Sequence, residues 1–214
     1  MTPAITHAIP AAIRPRPFVV LGIDPGTRVV GYGAIVDAAR GPRLLAAGVL
    51  RAPSIRDVPQ RLAHIRRELD ELIAKLRPAV VVVEQAFASK NLQSALRIGE
   101  GRGVVLACAA CAGAEIVQLT PAVAKKALVG HGAADKRQVA AMVLHALALR
   151  ELDLPLDASD ALALALAHLQ RRRLALPDRT TRALPAAIQR AIESSSASRL
   201  IRSARVAPRR RLRA

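Results

Sequence analysis

The chain has 214 residues, enough for one domain of ordinary size with extensions, and 52% of them are hydrophobic, so a sizeable core can form. That core must be built from Leu, Val, Ile and Ala, because Phe18, Tyr32 and Phe87 are the only aromatic residues. A formal net charge of +17 points to a polyanionic partner, nucleic acid before an anionic membrane surface.

In chain order, residues 1–16 contain Pro3, Pro10 and Pro15 with few apolar anchors and read as a flexible extension. The first strand is expected at 17–23, where Val19 to Ile23 is a short β-branched run. Pro25-Gly26 stops it and turns the chain just after Asp24. Val29–Val36, broken by Gly31 and Gly33, and Leu44–Leu50 read as two further strands of an antiparallel meander. Between Ile55 and Leu76 the period becomes helical, with Leu62, Ile65, Leu69, Ile73 and Leu76 on one apolar stripe. Arg61, Arg66 and Arg67 are assigned to the solvated face.

Pro78 ends that helix, and Ala79–Val83 is an unbroken apolar strand. Its lack of polar alternation predicts a strand covered on both faces, as at the centre of a layered α/β sheet. It runs into Glu84. After a polar loop to Asn91, Leu92–Ala112 reads as a helix that contains Gly99, Gly101 and Gly103. Three glycines cost such a helix roughly 1 kcal/mol each relative to Ala, so close approach to another backbone or a ligand is expected there. A short strand at Glu115–Leu119, a helix from Pro121 and another over Asp135–Leu149 follow. From Asp157 the pattern is Ala and Leu without β-branching, which predicts a helix. Beyond it, Arg171–Ala214 has 13 arginines against two acids and reads as a basic tail, disordered or partly helical.

No apolar run reaches the roughly 18–20 residues that span a bilayer, and Met1–Pro17 has no continuous apolar segment of the secretory type. A cytoplasmic protein without a membrane partner is expected. Cys108 and Cys111, the only cysteines, form a lone C-x-x-C in an Ala-rich helical stretch; without a second pair they do not make a structural zinc site. Buried thiols are the simpler reading.

Chemistry collects on carboxylates. Asp24 and Glu84 each end a strand, and Asp157 and Asp160 open the last helix at i and i+3, on one face. Taken singly, Asp24 is ordinary turn chemistry and the Asp157/Asp160 pair is ordinary helix capping. Together they are four acids at element ends of an otherwise basic domain. Converging carboxylates repel unless cations neutralise them, and hard oxygen ligands suit Mg²⁺ or Mn²⁺. Two such ions, roughly 4 Å apart, can clamp the attacking and leaving oxygens of a phosphodiester. The histidines do not pair at ligand spacing, and only His131, between Gly130 and Gly132, is placed near a site.

Gly22-Ile-Asp24-Pro-Gly-Thr-Arg28 with Gly31-Tyr-Gly33, then Val83-Glu84-Gln85-Ala-Phe87-Ala-Ser-Lys90-Asn91, then Asp157-Ala-Ser-Asp160-Ala161 resemble the RuvC Holliday-junction resolvases over residues 17–170. The resemblance implies an α/β, ribonuclease-H-like fold with a five-stranded mixed sheet flanked by helices. It implies a nuclease domain over 17–170, between the 1–16 extension and the 171–214 tail. It also implies a homodimer that nicks two strands of a four-way DNA junction symmetrically, leaving 5′-phosphate and 3′-hydroxyl ends. Asp24, Glu84, Asp157 and Asp160 would be the catalytic acids and would bind two Mg²⁺ ions, with Mn²⁺ as a substitute. Phe87 matches an aromatic that contacts bases near the junction centre; Lys125 and Lys136 match basic residues needed for activity; Arg28 and Lys90 are weaker phosphate-contact candidates. RuvA and RuvB, the branch-migration motor, are implied partners.

Three other readings compete. Gly-Ile-Asp-Pro-Gly-Thr also resembles the first phosphate loop of actin-like sugar and acetate kinases, but no second lobe with its own loop follows. A scaffold that holds branched DNA without cutting it would leave the four acids without a use. A related ribonuclease-H-like nuclease acting on RNA differs in its 2′-hydroxyl contacts, which the sequence does not reveal.

Overall fold

A computed structural model of the chain describes residues 17–52, 57–85, 92–151 and 154–175. The elements are β1 (Phe18–Asp24), β2 (Val29–Ala38), β3 (Gly41–Arg51), α1 (Val58–Leu76), β4 (Val80–Glu84), α2 (Leu92–Cys111), β5 (Glu115–Leu119), α3 (Pro121–Val129), α4 (Lys136–Ala146) and α5 (Leu156–Ala175). The strands form one sheet in the order β3-β2-β1-β4-β5. β1, β2 and β3 pair antiparallel, whereas β4 pairs parallel to both β1 and β5. This is the expected five-stranded mixed sheet. The chain divides into two compact units, residues 1–173 and 174–214, and of the second only Leu174 and Ala175 are described.

The Val run of β4 explains the layering. Val80 and Val82 point to one face and Val81 and Val83 to the other, and all four are fully buried. On the first face they pack with Val20, Ile35, Leu128, Val143 and the Leu and Ala residues of α5. On the second they pack with Leu21, Ile23, Val30, Ile65, Leu69 and Ile73 of α1, and Val105 and Ala109 of α2. With so few aromatics, aliphatic interdigitation fills both layers.

Several local expectations change. β2 runs beyond the expected Val36 and β3 starts before the expected Leu44, so the link between them is only Ala39-Arg40, and Gly41 pairs with Ala38 at a positive φ of 122°. β2 is not broken at Gly31 or Gly33 but runs through both. α4 ends at Ala146 rather than Leu149, because Leu147, the C-cap, turns to a φ of −92° and a ψ of 0° and Ala148 takes a left-handed φ of 53°. Arg61, assigned to the solvated side of α1, is buried at 5% exposure beside the Ile65–Leu69–Ile73 stripe. Helical period places a residue on a stripe but does not say how wide the covering layer is.

α5 continues past the expected start of the tail. Arg171–Arg173 are helical, the Arg172 guanidinium lies 3.8 Å over the Phe18 ring, and Arg173 pairs with Asp37. Basic side chains in the last turn also match the helix dipole. The lower end of α5 is thus tied to the first residue of β1 and the end of β2. Among the described residues no helix is long and apolar enough to cross a membrane.

Candidate active site

β1 and β4 are neighbours whose pairing ends at Ile23 and Val83, so Asp24 and Glu84 leave the sheet side by side. α5 crosses the sheet over them, and glycines set its height. Gly22 pairs with Gly33, and Asp24 pairs with Gly31. A Cβ at Gly22 would overlap the Ala161 carbonyl, one at Gly31 the Asp157 carbonyl, and one at Gly33 the Leu162 side chain. Ala158, Ala161 and Ala165 complete the seam from the helix side and are fully buried. Backbone therefore lies nearly on backbone, and the first turn of α5 is brought down to the tip of β1. Asp157 and Asp160 arrive beside Asp24 because of three residues that carry no chemistry.

The electrostatics record this crowding. Burial first, then the negative charges of Glu84, Asp160 and Asp157, push the Asp24 carboxyl up to about 7, against the opposing pull of Lys136. Glu84 is also raised, by burial and then by Asp160, with Lys136 again opposing. All four acids thus act on one point. No group of three or more His, Cys, Asp or Glu side chains is arranged to hold a metal ion among the described residues. The donor set nevertheless fits a hard divalent cation: it is all carboxylate, it sits on stiff elements, and burial together with its like charges raises the Asp24 carboxyl.

Lys136 Nζ lies 3.7 Å from Asp160 Oδ2. It is the first residue of α4, which Asp135 caps through a reciprocal capping box with Gln138. A lysine in the first turn opposes the helix dipole, so its place serves the acids rather than the helix. α3 begins at Pro121 behind a Thr120 cap and carries Lys125. Lys125, Lys136, Glu84 and Asp160 share the rim of a cleft of about 270 Å³, floored by Ala124, Leu128, Val139 and Leu164.

The remaining expectations divide. Arg28 is exposed in the β1–β2 turn, where its carbonyl accepts a hydrogen bond from Ala52 N–H at 3.0 Å. Phe87 and Lys90 lie outside the described residues. His131 is exposed in the α3–α4 link and does not line the cleft. Cys108 and Cys111 are free; burial and a hydrogen bond to Asp70 push the Cys108 thiol up to about 12, far from a reactive thiolate. Of the α2 glycines, only Gly101 meets another backbone: a Cβ there would lie 2.5 Å from the Gly26 carbonyl oxygen, whereas Gly99 and Gly103 have open space.

This arrangement can be set beside known proteins. The family model described as crossover junction endodeoxyribonuclease RuvC matches residues 20–168. The chain belongs to the RuvC family. It is 43% identical over 72% of its length to the crossover junction endodeoxyribonuclease RuvC of Syntrophomonas wolfei, covering 90% of that protein. With its counterpart from Solidesulfovibrio magneticus it shares 46% identity over 73% of this chain and 92% of the relative. The structure of Thermus thermophilus RuvC superposes with a TM-score of 0.68 at 34% identity, covering 73% of this chain and 96% of that one. The same enzyme in complex with Holliday junction substrate gives 0.66 at 33% identity, over 74% and 96% of the two chains. The ribonuclease-H-like fold and the endonuclease class follow from that membership, as does dependence on a metal ion.

Sequence reasoning missed two sets of residues in this RuvC-family site. Gly31 and Gly33 looked like strand breakers and Gly22 passed as one more residue of the first strand, although glycine inside a central strand is itself a signal of close backbone approach. Arg102 carried no local signal at all, because its partners, on β4 and β5, lie 18 and 16 residues away in sequence.

Proposed function

We propose that this chain resolves four-way DNA junctions by metal-assisted hydrolysis of phosphodiesters in two strands, with Asp24, Glu84, Asp157 and Asp160 as its catalytic acids. One observation carries the reading: an aspartate at a strand tip whose carboxyl is raised by burial and by three other carboxylates, two of which, Glu84 and Asp160, line a cleft with two lysines. Divalent cations, two Mg²⁺ per site with Mn²⁺ as a substitute, would be held by the four acids and would supply Lewis-acid activation of the phosphodiester. The chain's own residues do the rest. β1 and β4 hold Asp24 and Glu84 rigidly, and α5 delivers Asp157 and Asp160 from the other side. Lys136 stands where it can neutralise either the acids or an incoming phosphate, and Lys125 extends that positive rim. Phe87 and Lys90 would contact the DNA, and so would Arg28 from the β1–β2 turn.

A homodimer would place two such sites on one junction. Helix α2 is the candidate contact face: Leu96 is 60% exposed, and Gly99 and Gly103 on the same side leave a backbone open to close approach. The protein would work in the cytoplasm, with RuvA and RuvB as partners. The basic segment after Ala175 would add salt-sensitive affinity for DNA of any sequence.

The test is cleavage of a synthetic mobile four-way junction with Mg²⁺ or EDTA, beside linear duplex and an RNA–DNA hybrid. Paired, symmetric, Mg²⁺-dependent nicks confined to the junction are expected. Asp24→Asn should lower cleavage more than about 100-fold, since even an outer-shell partner of a metal site is worth 10–100-fold, while junction affinity is kept. Tight binding without nicks would leave a scaffold, and cutting of the hybrid would make the protein a ribonuclease.

A further inference from the structure

Helix α2 touches the tips of both strands that end in catalytic-type acids. Gly101 lies against the Gly26 carbonyl, two residues beyond Asp24, with no room for a side chain. One residue later, Arg102 Nε donates to the Glu84 backbone carbonyl at 3.2 Å, and its Nη2 donates to Gln118 Oε1 on β5. The Glu84 backbone is held from the other side by the β5 ladder, where Glu84 pairs with Leu119 and Gln85 N–H donates to the Leu119 carbonyl at 2.8 Å. The β1 ladder, by contrast, stops one residue short, at Val83. Arg102 therefore supplies hydrogen bonding at the point where the sheet stops doing so.

We propose that Arg102 is a positioning residue, whose forked guanidinium spans Glu84 and Gln118 and fixes the Glu84 carboxylate toward Asp24 and Asp160. A guanidinium is suited to this, because its planar donors can serve two acceptors at once, which an ammonium on a flexible stem does not do. Arg102 acts on Glu84 through the backbone: the charges that bear on the Glu84 carboxyl itself are Asp160 and Lys136. Because the same helix presents Leu96, Gly99 and Gly103 outward, α2 links the outer surface of the domain to the geometry of the acids. The inference rests on the proposed role of Glu84 as a metal-binding acid.

The experiment uses the full chain and compares wild type, Arg102→Ala and Arg102→Lys. Junction affinity against salt, single-turnover cleavage with Mg²⁺, Mn²⁺ binding to the DNA-free protein by calorimetry and thermal melting are all measured. For Arg102→Ala, we expect wild-type junction affinity and salt slope, with cleavage and Mn²⁺ affinity each lowered about 10- to 100-fold, the range of an outer-shell partner. Arg102→Lys keeps the charge and the stem but loses the fork, and should recover only part of the loss. A salt slope reduced by about one in Arg102→Ala would make Arg102 a phosphate contact and overturn the proposal. So would unchanged Mn²⁺ affinity, or an Arg102→Lys protein that cuts and binds Mn²⁺ like wild type. If Arg102→Ala does not fold, the Arg102→Lys comparison decides alone. A wild-type protein that binds Mn²⁺ but cuts no junction would refute the functional reading and leave the positioning to be judged on Mn²⁺ affinity.

Discussion

On one face of the sheet, α1 and α2 stand off on full side chains: Ile65, Leu69, Ile73 and Val105 interdigitate with Leu21, Ile23, Val81 and Val83. On the other face α5 is laid directly on Gly22, Gly31 and Gly33, with Ala158, Ala161 and Ala165 as its own contribution. The first face is thick and apolar, and such layers tolerate change as long as volume is kept. The second leaves no thickness to adjust at Gly22 and Gly31, where the contacts are with carbonyls. The acids are delivered across the second face. Precision at Asp157 and Asp160 thus comes from removing side chains, whereas stability on the α1 side comes from adding them.

The largest effect that would test this contrast is on the thin face. Gly31→Ala should push Asp157 away from Asp24 and lower junction cleavage by about 100-fold, with junction binding kept. Cleavage within a few-fold of wild type would show that α5 can rise without consequence and would end the comparison. On the thick face, Leu69→Ala should cost about 2–5 kcal/mol of stability, measured by denaturant unfolding, through transfer and cavity terms. Its rate of cleavage per folded molecule should stay near wild type, and a matching loss of rate would mean that both faces set the site.

A smaller effect concerns pH. The Asp24 carboxyl titrates near 7 in the folded chain, against about 3.9 for an unfolded aspartate. Between those values the native state binds the extra proton, so the metal-free protein should lose stability as pH rises from about 4 to 7. Melts in EDTA should give a higher Tm at pH 5 than at pH 8, with the difference reduced in Asp24→Asn. An identical difference in that variant would assign the effect to other groups. The smallest effect belongs to the basic segment. Its removal must begin at residue 176, because Arg172 and Arg173 hold the end of α5 to Phe18 and Asp37. The truncated chain should bind junctions with a shallower salt dependence and cut at a similar rate under low salt; an unchanged slope would deny the segment a role in binding.

Much of the fold was legible in the amino-acid pattern because each element is encoded by its own residues. The Val80–Val83 run needs both faces covered whatever surrounds it, and the four-residue spacing of Ile65, Leu69 and Ile73 is helical wherever it lands. Turn and cap chemistry is equally local: Pro25-Gly26 after Asp24, Thr120-Pro121 before α3, and Asp135 with Gln138 before α4. The four acids were legible too, since each sits at an element end. Arg61 was misjudged because its burial depends on neighbours far along the chain. The α2 glycines were read as one feature, yet Gly101 meets Gly26 while Gly99 and Gly103 face outward, a distinction only the packed helix makes.

By itself, then, the sequence determined which segments become strands and helices, which side chains carry charge to their ends, and that a basic domain holds a set of acids, because these depend on contacts within a few residues. Only the tertiary structure decided that α5 settles on Gly22, Gly31 and Gly33, that burial and the neighbouring acids raise the Asp24 carboxyl, and that Arg102 reaches Glu84 and Gln118. Those outcomes depend on distances between elements far apart in the chain, which the order of residues does not contain until the sheet and its helices have packed.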